Sequence, residues 1–405
     1  MTTAAVEPPQ LVRVDPRAWL MLCLGVVAQT AATVLITTPA FLIPLLSSEG
    51  GLSLAQAGTL SATPMVGMVL TLVAWGALAD RVGERWVIAG GVGLGALAAL
   101  GAAVLADGFV ALGIFFVLCG AASASPNAAS GRLVVGWFPK HKRGLAMGIR
   151  QISQPLGVAI AALVIPSLAS AGGIPGAMFA SVVFCGVLAV HCGILLRDPV
   201  RPARPVGDAG VAALANPYRG SAVLWRIHAV SVLLVVPQYV ISTFGLVWLI
   251  TEQRMSPLAA GAVIGISQLI GAAGRIAVGV LSDAVGSRMR PLRWVACAAV
   301  AVMLLLAVLD WLEWPLAIAV LVIATTISVA DNGLAFTAVA EIAGSHWSGR
   351  ALGTQNTGQF IAAAAVGPLA GALIGVVGFP LTFAAAALCA LVSVPLVPRN
   401  GDTHH

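Results

Sequence analysis

The chain has 405 residues, of which 59% are hydrophobic and only 9% charged, with a net charge of +6. A water-soluble domain carries about 25% charged residues, so an ordinary globular protein is excluded and the bilayer is the expected solvent. The positive surplus sits in short loops on one side of the apolar runs, a topology signal that argues against a nucleic-acid partner. All six cysteines (Cys23, Cys119, Cys185, Cys192, Cys297, Cys389) fall inside apolar runs, so no disulfide framework is expected. No cleavable signal peptide is visible. Metal-ligand spacings and phosphate-cradling glycine loops are missing too, so neither a cofactor, a metal nor an enzymatic activity is expected.

A helix crossing a ~30 Å hydrocarbon core needs about 20 apolar residues. Twelve such runs follow one another, at 20–46, 54–79, 86–106, 109–137, 144–170, 174–196, 222–250, 257–283, 292–311, 314–343, 349–376 and 379–397. The expected fold is an all-α membrane protein of twelve transmembrane helices in two six-helix, pseudo-symmetric bundles. The division is a tail at 1–19, a first bundle at 20–196, a linker at 197–221, a second bundle at 222–397 and a tail at 398–405. The linker is the one long polar break, with Arg197, Arg201, Arg204, Asp208 and Arg219 and with Pro199, Pro202 and Pro205. Arginine and lysine crowd one side of the runs, from Arg17, Arg81 and Arg85 through Lys140 and Lys142 to Arg288, Arg293 and Arg399. The other side holds Arg254 with Glu49, Asp107, Glu252, Asp310 and Glu313. The bias toward positive charge inside puts both termini and the linker in the cytoplasm of a prokaryotic inner membrane. Most of the ten tryptophans, Trp19, Trp86, Trp137 and Trp314 among them, fall near run ends, as interfacial anchors do. Abundant glycine and alanine allow helices to pack backbone to backbone.

The two halves repeat. Gly76-Ala-Leu-Ala-Asp80-Arg81-Val-Gly83-Glu-Arg85 returns as Gly279-Val-Leu-Ser-Asp283-Ala-Val-Gly286-Ser-Arg288. The stretch 144–154 matches 349–359, pairing Arg150 with Gln355 and Gln154 with Gln359. On the same offset Pro126-Asn127 faces Asp331-Asn332. With an even number of runs in each half, the pseudo-twofold axis lies along the membrane normal. At these residues, with Trp137-Phe138-Pro139 leading to Arg143-Gly144, the sequence resembles the major facilitator superfamily over essentially its full length. The resemblance implies a rocker-switch transporter with a central cavity. It also implies that the aspartates and arginines of the repeated motif latch neighbouring helix ends. By that reading Asp80, Arg81, Arg85, Asp283, Arg288, Glu341 and Arg350 are gate residues, Glu341 pairing with Arg288 or Arg350, and none of them touches substrate.

Four ionisable side chains lie well inside the runs: Arg132, Arg150, Arg275 and Asp331. Each costs about 2.5–3.5 kcal/mol at mid-bilayer on insertion scales, so each is expected to face a cavity or a partner. Arg275 stands eight residues before Asp283, ~12 Å up the eighth run. It is similar to the helix-8 arginine of the monocarboxylate and oxalate transporters and of the nitrate carriers, which binds the substrate anion. The other reading is an arginine tied to a helix carbonyl or to Asp331, joining two helices. Arg150 and Gln154 share a face of the fifth run. With Gln355 and Gln359 they form a donor set suited to oxyanions, or else a structural network near the gate; Asn127 and Asn332 complete the candidate substrate set. Asp331, the one deep acid, is either a proton relay or the counter-ion of Arg275, and a carboxylate held out of water can carry a proton at physiological pH. Arg132 is read as a structural gate residue, and His228 and His191 as interfacial or packing residues. Tyr218, Tyr239, Trp248 and Phe360 line an aromatic-friendly cavity or pack ordinarily.

Three positive charges against one negative favour an anionic cargo. The expected function is secondary transport of a small anion, most of all an organic carboxylate, by alternating access with proton symport. The expected partners are that anion, protons and the lipid bilayer, and the expected state is a monomer. The alternative is proton-driven drug or metabolite efflux. It is weakened by Arg150 and Gln154 standing where the exporters' helix-5 signature has glycine, and by Phe116 standing where their helix-4 motif has arginine.

Overall fold

The computed structural model describes residues 15–48, 50–139, 143–199, 216–219 and 222–399, with backbone alone at positions 80, 135, 143–145 and 344–350. The described chain is helical throughout. The elements are α1 (Pro16–Phe41), α2 (Ile43–Ser48), α3 (Leu54–Val82), α4 (Glu84–Val104), α5 (Gly108–Trp137) and α6 (Arg143–Gln151), then α7 (Ser153–Leu195), α8 (Val223–Thr251), α9 (Pro257–Val285), α10 (Met289–Trp311), α11 (Leu316–Ser328) and α12 (Asp331–Leu396).

Ten apolar helical stretches are long enough to cross a bilayer, and two of them, at 50 and 46 residues, are of double length. Both fold back at a glycine in the left-handed region, Gly173 (φ 63°) in α7 and Gly378 (φ 80°) in α12. A β-carbon is strained there. In each case proline follows two residues later (Pro175, Pro380), pre-set to start the next helix. The described helices therefore supply the twelve expected crossings. Other ends are fixed by local chemistry. Ser53 and Gln56 form a reciprocal capping box at the start of α3, and the Ser256 hydroxyl accepts from the Ala259 N–H at the start of α9. Left-handed Gly286 closes α9 within the repeated motif.

Two runs expected to be unbroken are interrupted. The tenth crossing has a tight turn at Val329–Ala330, where the Ala330 N–H reaches back only to the Ile327 carbonyl (3.1 Å). The fifth has one at Ile152, whose N–H bonds the Ile149 carbonyl (3.1 Å). Apolar periodicity does not register such breaks, because the flanking residues stay hydrophobic. Irregular backbone at membrane depth survives only where something polar satisfies it, and both breaks lie beside a deep arginine.

The hydrophobic core shows how the bundles meet. One continuous cluster runs the depth of the first bundle and joins the second on the face opposite the basic loops, from Phe41, Leu42 and Leu46 to Phe244, Trp248 and Phe379. On the basic face each bundle keeps its own cluster, one around Leu22, Val134 and Phe138 and the other around Leu224, Leu292 and Leu334. Across the midline α3 packs on α12 and α7 on α9. The approaches are tightest at glycine. A β-carbon on Gly58 would strike the Gly367 carbonyl, one on Gly371 the Leu54 carbonyl, and one on Gly261 the Ala162 carbonyl. The bundles are thus sealed on one face and separated on the other.

Candidate functional site

The separation leaves a cavity of about 1110 Å³ between the bundles. Glu84, Gly136, Pro199 and Glu341, all near helix ends on the basic face, line its mouth. Its walls carry Asn127, Arg132, Arg150, Gln154, Gln238, Asn332, Phe336 and Gln359, and its depth Tyr239, Arg275 and Phe360. A smaller chamber of about 120 Å³ continues toward the sealed face and shares Gln154, Gln238, Tyr239, Arg275 and Phe360 with the first.

Arg275 stands at the junction. Its Nε donates to the Val329 carbonyl (3.1 Å), the backbone group freed where the tenth crossing breaks. Its two terminal nitrogens have no hydrogen-bond partner among the described residues. The reading of Arg275 as an arginine tied to a helix carbonyl is thus met by one nitrogen, and the guanidinium is anchored at its base. A planar fork fixed at its base is pre-organised for a carboxylate. Asp331 opens α12 immediately after the break, where a helix N-terminus favours an acid. It interacts electrostatically with Arg275, yet no ion pair joins them among the described residues. It is 1% exposed, is absent from both cavity linings, and has one carboxylate oxygen without a hydrogen-bond partner.

The other deep arginines are more firmly held. Arg150 donates from Nε to the Ser130 hydroxyl (2.8 Å) and from a terminal nitrogen to the Asn127 carbonyl (3.2 Å), so it faces the cavity as a fixed positive wall. Arg132 donates to the Gly76 carbonyl (3.0 Å) and ties α5 to the motif end of α3. A chain of amides spans the second bundle: Asn332 donates to Gln238 (3.1 Å) and accepts from Gln359 (3.0 Å).

Gln355 does not reach the cavity. It is 1% exposed, donates to the Ser231 hydroxyl (3.1 Å) and bonds His228 Nδ1 (3.2 Å), whose Nε2 meets the Tyr218 hydroxyl (2.9 Å). The repeat pairs it with Arg150, but α12 presents it to α8 instead of to the opening. His228 and Tyr218 belong to this buried network, not to an interface with lipid. Gln355→Leu is expected to lower stability by about 1–3 kcal/mol, because two buried polar groups lose a partner. Apparent substrate affinity should hold; a thermal melt and a binding titration on the same variant check both.

At the motifs, Arg288 bridges Asp283 (2.5 Å) and Glu341 (3.1 Å), one of the two pairings open to Glu341. The first copy is wired differently. Arg85 donates to the Gly193 carbonyl (2.8 Å) at the end of α7, and its backbone N–H to the Asp198 carboxylate (2.8 Å). Arg81 is exposed. The side chains of Asp80 and Arg350 lie outside the described set. Exposed pairs of this kind are worth about 0–1 kcal/mol each, weak enough to break in every cycle. Sequence reasoning overlooked Gln29, Gln238, Gln268 and Asp198. A signal existed for Gln268, which is two helical turns before Arg275 on the same face of α9. Tyr239 and Phe360 do line the cavity, whereas Trp248 is fully buried and donates to Asp310 (2.8 Å).

Two pseudo-symmetric six-helix bundles around a polar cavity open to one membrane face define a multi-pass membrane transporter. The family profile described as Major Facilitator Superfamily matches residues 21–368, and the chain belongs to that superfamily. It is 48% identical over 380 residues to an uncharacterized MFS-type transporter of Mycobacterium tuberculosis, covering 94% of this chain and 84% of that protein. Over 136 residues it is 32% identical to a probable anion transporter, chloroplastic, of Arabidopsis thaliana, covering 33% of this chain and 25% of that protein. Its fold is similar to a bacterial homolog of the human lysosomal transporter Spinster, solved inward-facing and occupied. The TM-score is 0.77 at 16% identity, over 95% of this chain and 97% of that one.

Proposed function

We propose that the protein carries a small organic carboxylate across a bacterial inner membrane by alternating access, together with a proton. The observation that supports this most is Arg275, a guanidinium at the bottom of the cavity with its base anchored on Val329 and two nitrogens unpartnered. Arg150 and Arg132 add positive charge to the same walls, and that field favours an anion over a cationic drug. The partial likeness to a probable anion transporter points the same way. Asn127, Gln154, Asn332 and Gln359 complete the substrate site, whereas Gln355 ties α12 to α8 away from it. With the positive loops inside, the basic face is cytoplasmic and the structure is inward-open.

Coupling follows from competition for one charge. While the site is empty, Arg275 offsets the Asp331 carboxylate. A bound carboxylate draws on the same guanidinium, and Asp331 then takes up a proton in place of its counter-charge. One anion and one proton cross together, and the deep site is never left with an uncompensated charge.

The test is uptake into proteoliposomes across a panel of small carboxylates, with nitrate as the inorganic control and an imposed inward proton gradient. At least one carboxylate should accumulate, faster with the gradient than without. Asp331→Asn should abolish the response to the gradient while exchange of labelled for unlabelled substrate continues. Gradient-driven uptake by Asp331→Asn would sink the coupling, and an unresponsive panel would sink the carboxylate reading.

A further inference from the structure

The smaller chamber beyond Arg275 has more polar capacity than a carboxylate uses. Gln29 on α1 is 3% exposed, and its carbonyl oxygen is buried with no hydrogen-bond partner. Gln268 on α9, 7% exposed, faces the same space, and its carboxamide makes no hydrogen bond among the described residues. Around them the hydroxyls of Thr33 and Ser328 donate to carbonyls of their own helices (2.9 and 3.1 Å), and both residues line the chamber. Buried amides are almost always partnered in a finished interior. Two carboxamides without a full set of partners beside one chamber, Gln268 and Gln29, match groups that both donate and accept, namely hydroxyls.

Size narrows the ligand further. The chamber holds about 120 Å³, about a tenth of the main cavity, so it suits the short end of a small molecule. Arg275 stands at its entrance with its free nitrogens, so a carboxylate seated there places the next carbons beside Gln268 and Gln29.

We propose that the chamber is a hydroxyl-recognition subsite and that the cargo is a short hydroxylated carboxylic acid, not a plain aliphatic or aromatic one. This rests on the anion reading of Arg275 and specifies the remainder of the molecule. A site built to hydrogen-bond a hydroxyl rejects the analogue that lacks it, because its own buried amides are then left open.

The test is ligand-induced thermal stabilisation of the purified full chain, titrated with propionate, lactate, glycerate and, as the uncharged control, glycerol. Glycerate should bind at least about tenfold more tightly than propionate, with lactate between them and no shift from glycerol, since each net hydrogen bond is worth up to about tenfold. Gln268→Leu and Gln29→Leu should each weaken glycerate by about tenfold; should either fail to fold, the wild-type ranking decides alone. Propionate binding as tightly as glycerate overturns the subsite and leaves the anion reading standing. If none of the three acids stabilises the wild-type chain, the anion reading falls and takes the subsite with it.

Discussion

Arg275→Ala is expected to abolish carboxylate uptake, and Arg275→Lys to come close to it. The free end of the guanidinium offers two charge-assisted hydrogen bonds, worth about 1.5–3 kcal/mol each. Losing both weakens binding by at least roughly a hundredfold. Lysine keeps the charge but cannot anchor on Val329 and present a fork at the same time. Alanine also strips Asp331 of its compensating charge, so a dead single variant could simply be misassembled. The double variant Arg275→Ala/Asp331→Asn removes that ambiguity, since neither charge remains buried. It should insert and melt like the parent and still bind no carboxylate. Normal uptake by the double variant would mean that the anion sits elsewhere.

Gly58→Val is expected to lock the transporter with its sealed face open, and Gly367→Val to do the same. Each side chain would enter the opposing backbone where α3 crosses α12. No rotamer avoids a carbonyl in direct contact, and overpacking costs about 1–3 kcal/mol. If α3 and α12 part when the sealed face opens, that energy shifts the conformational equilibrium by roughly tenfold to a hundredfold. The fold itself is spared. Turnover should fall accordingly. A single cysteine placed at Thr37, which lines the inner chamber, in a chain stripped of its own cysteines reports the change. An impermeant maleimide should label it from the sealed face in the valine variants and not in the parent. Equal labelling would show that this crossing is not a gate.

These two expectations differ in how far the sequence alone reaches them. Arg275 stands out in the one-dimensional chain because a charge in an apolar run is costly wherever it points. Gly58 and Gly367 do not, because glycine is common throughout and only a crossing helix gives one of them a reason. The same contrast separates Gln359 from Gln355. Both are polar, and both lie on the repeat. Four residues apart, they share a face of α12, and only the neighbours met at each level send one to the cavity and the other to His228 and Ser231. The asymmetry of the motif pair is legible in part, since Gly136 stands at the repeat position of Glu341, but the partners of Arg85 are set by the fold. Arg288 finds acids on its own bundle, whereas Arg85 finds the Gly193 carbonyl and Asp198.

Hydrophobic run length, the repeated Gly-x-x-x-Asp motif and the stranded arginines determined by themselves that this chain crosses a membrane twelve times as two related bundles around a polar interior. They could do so because the cost of polar groups in hydrocarbon depends on residue type and depth, both of which are written in the order of the residues. Which amides line the opening, where the tenth crossing breaks to offer Val329 to Arg275, and which membrane face is sealed were decided only in three dimensions. Those features depend on how one helix is turned against another, and that angle is set by small residues in contact across hundreds of positions of chain.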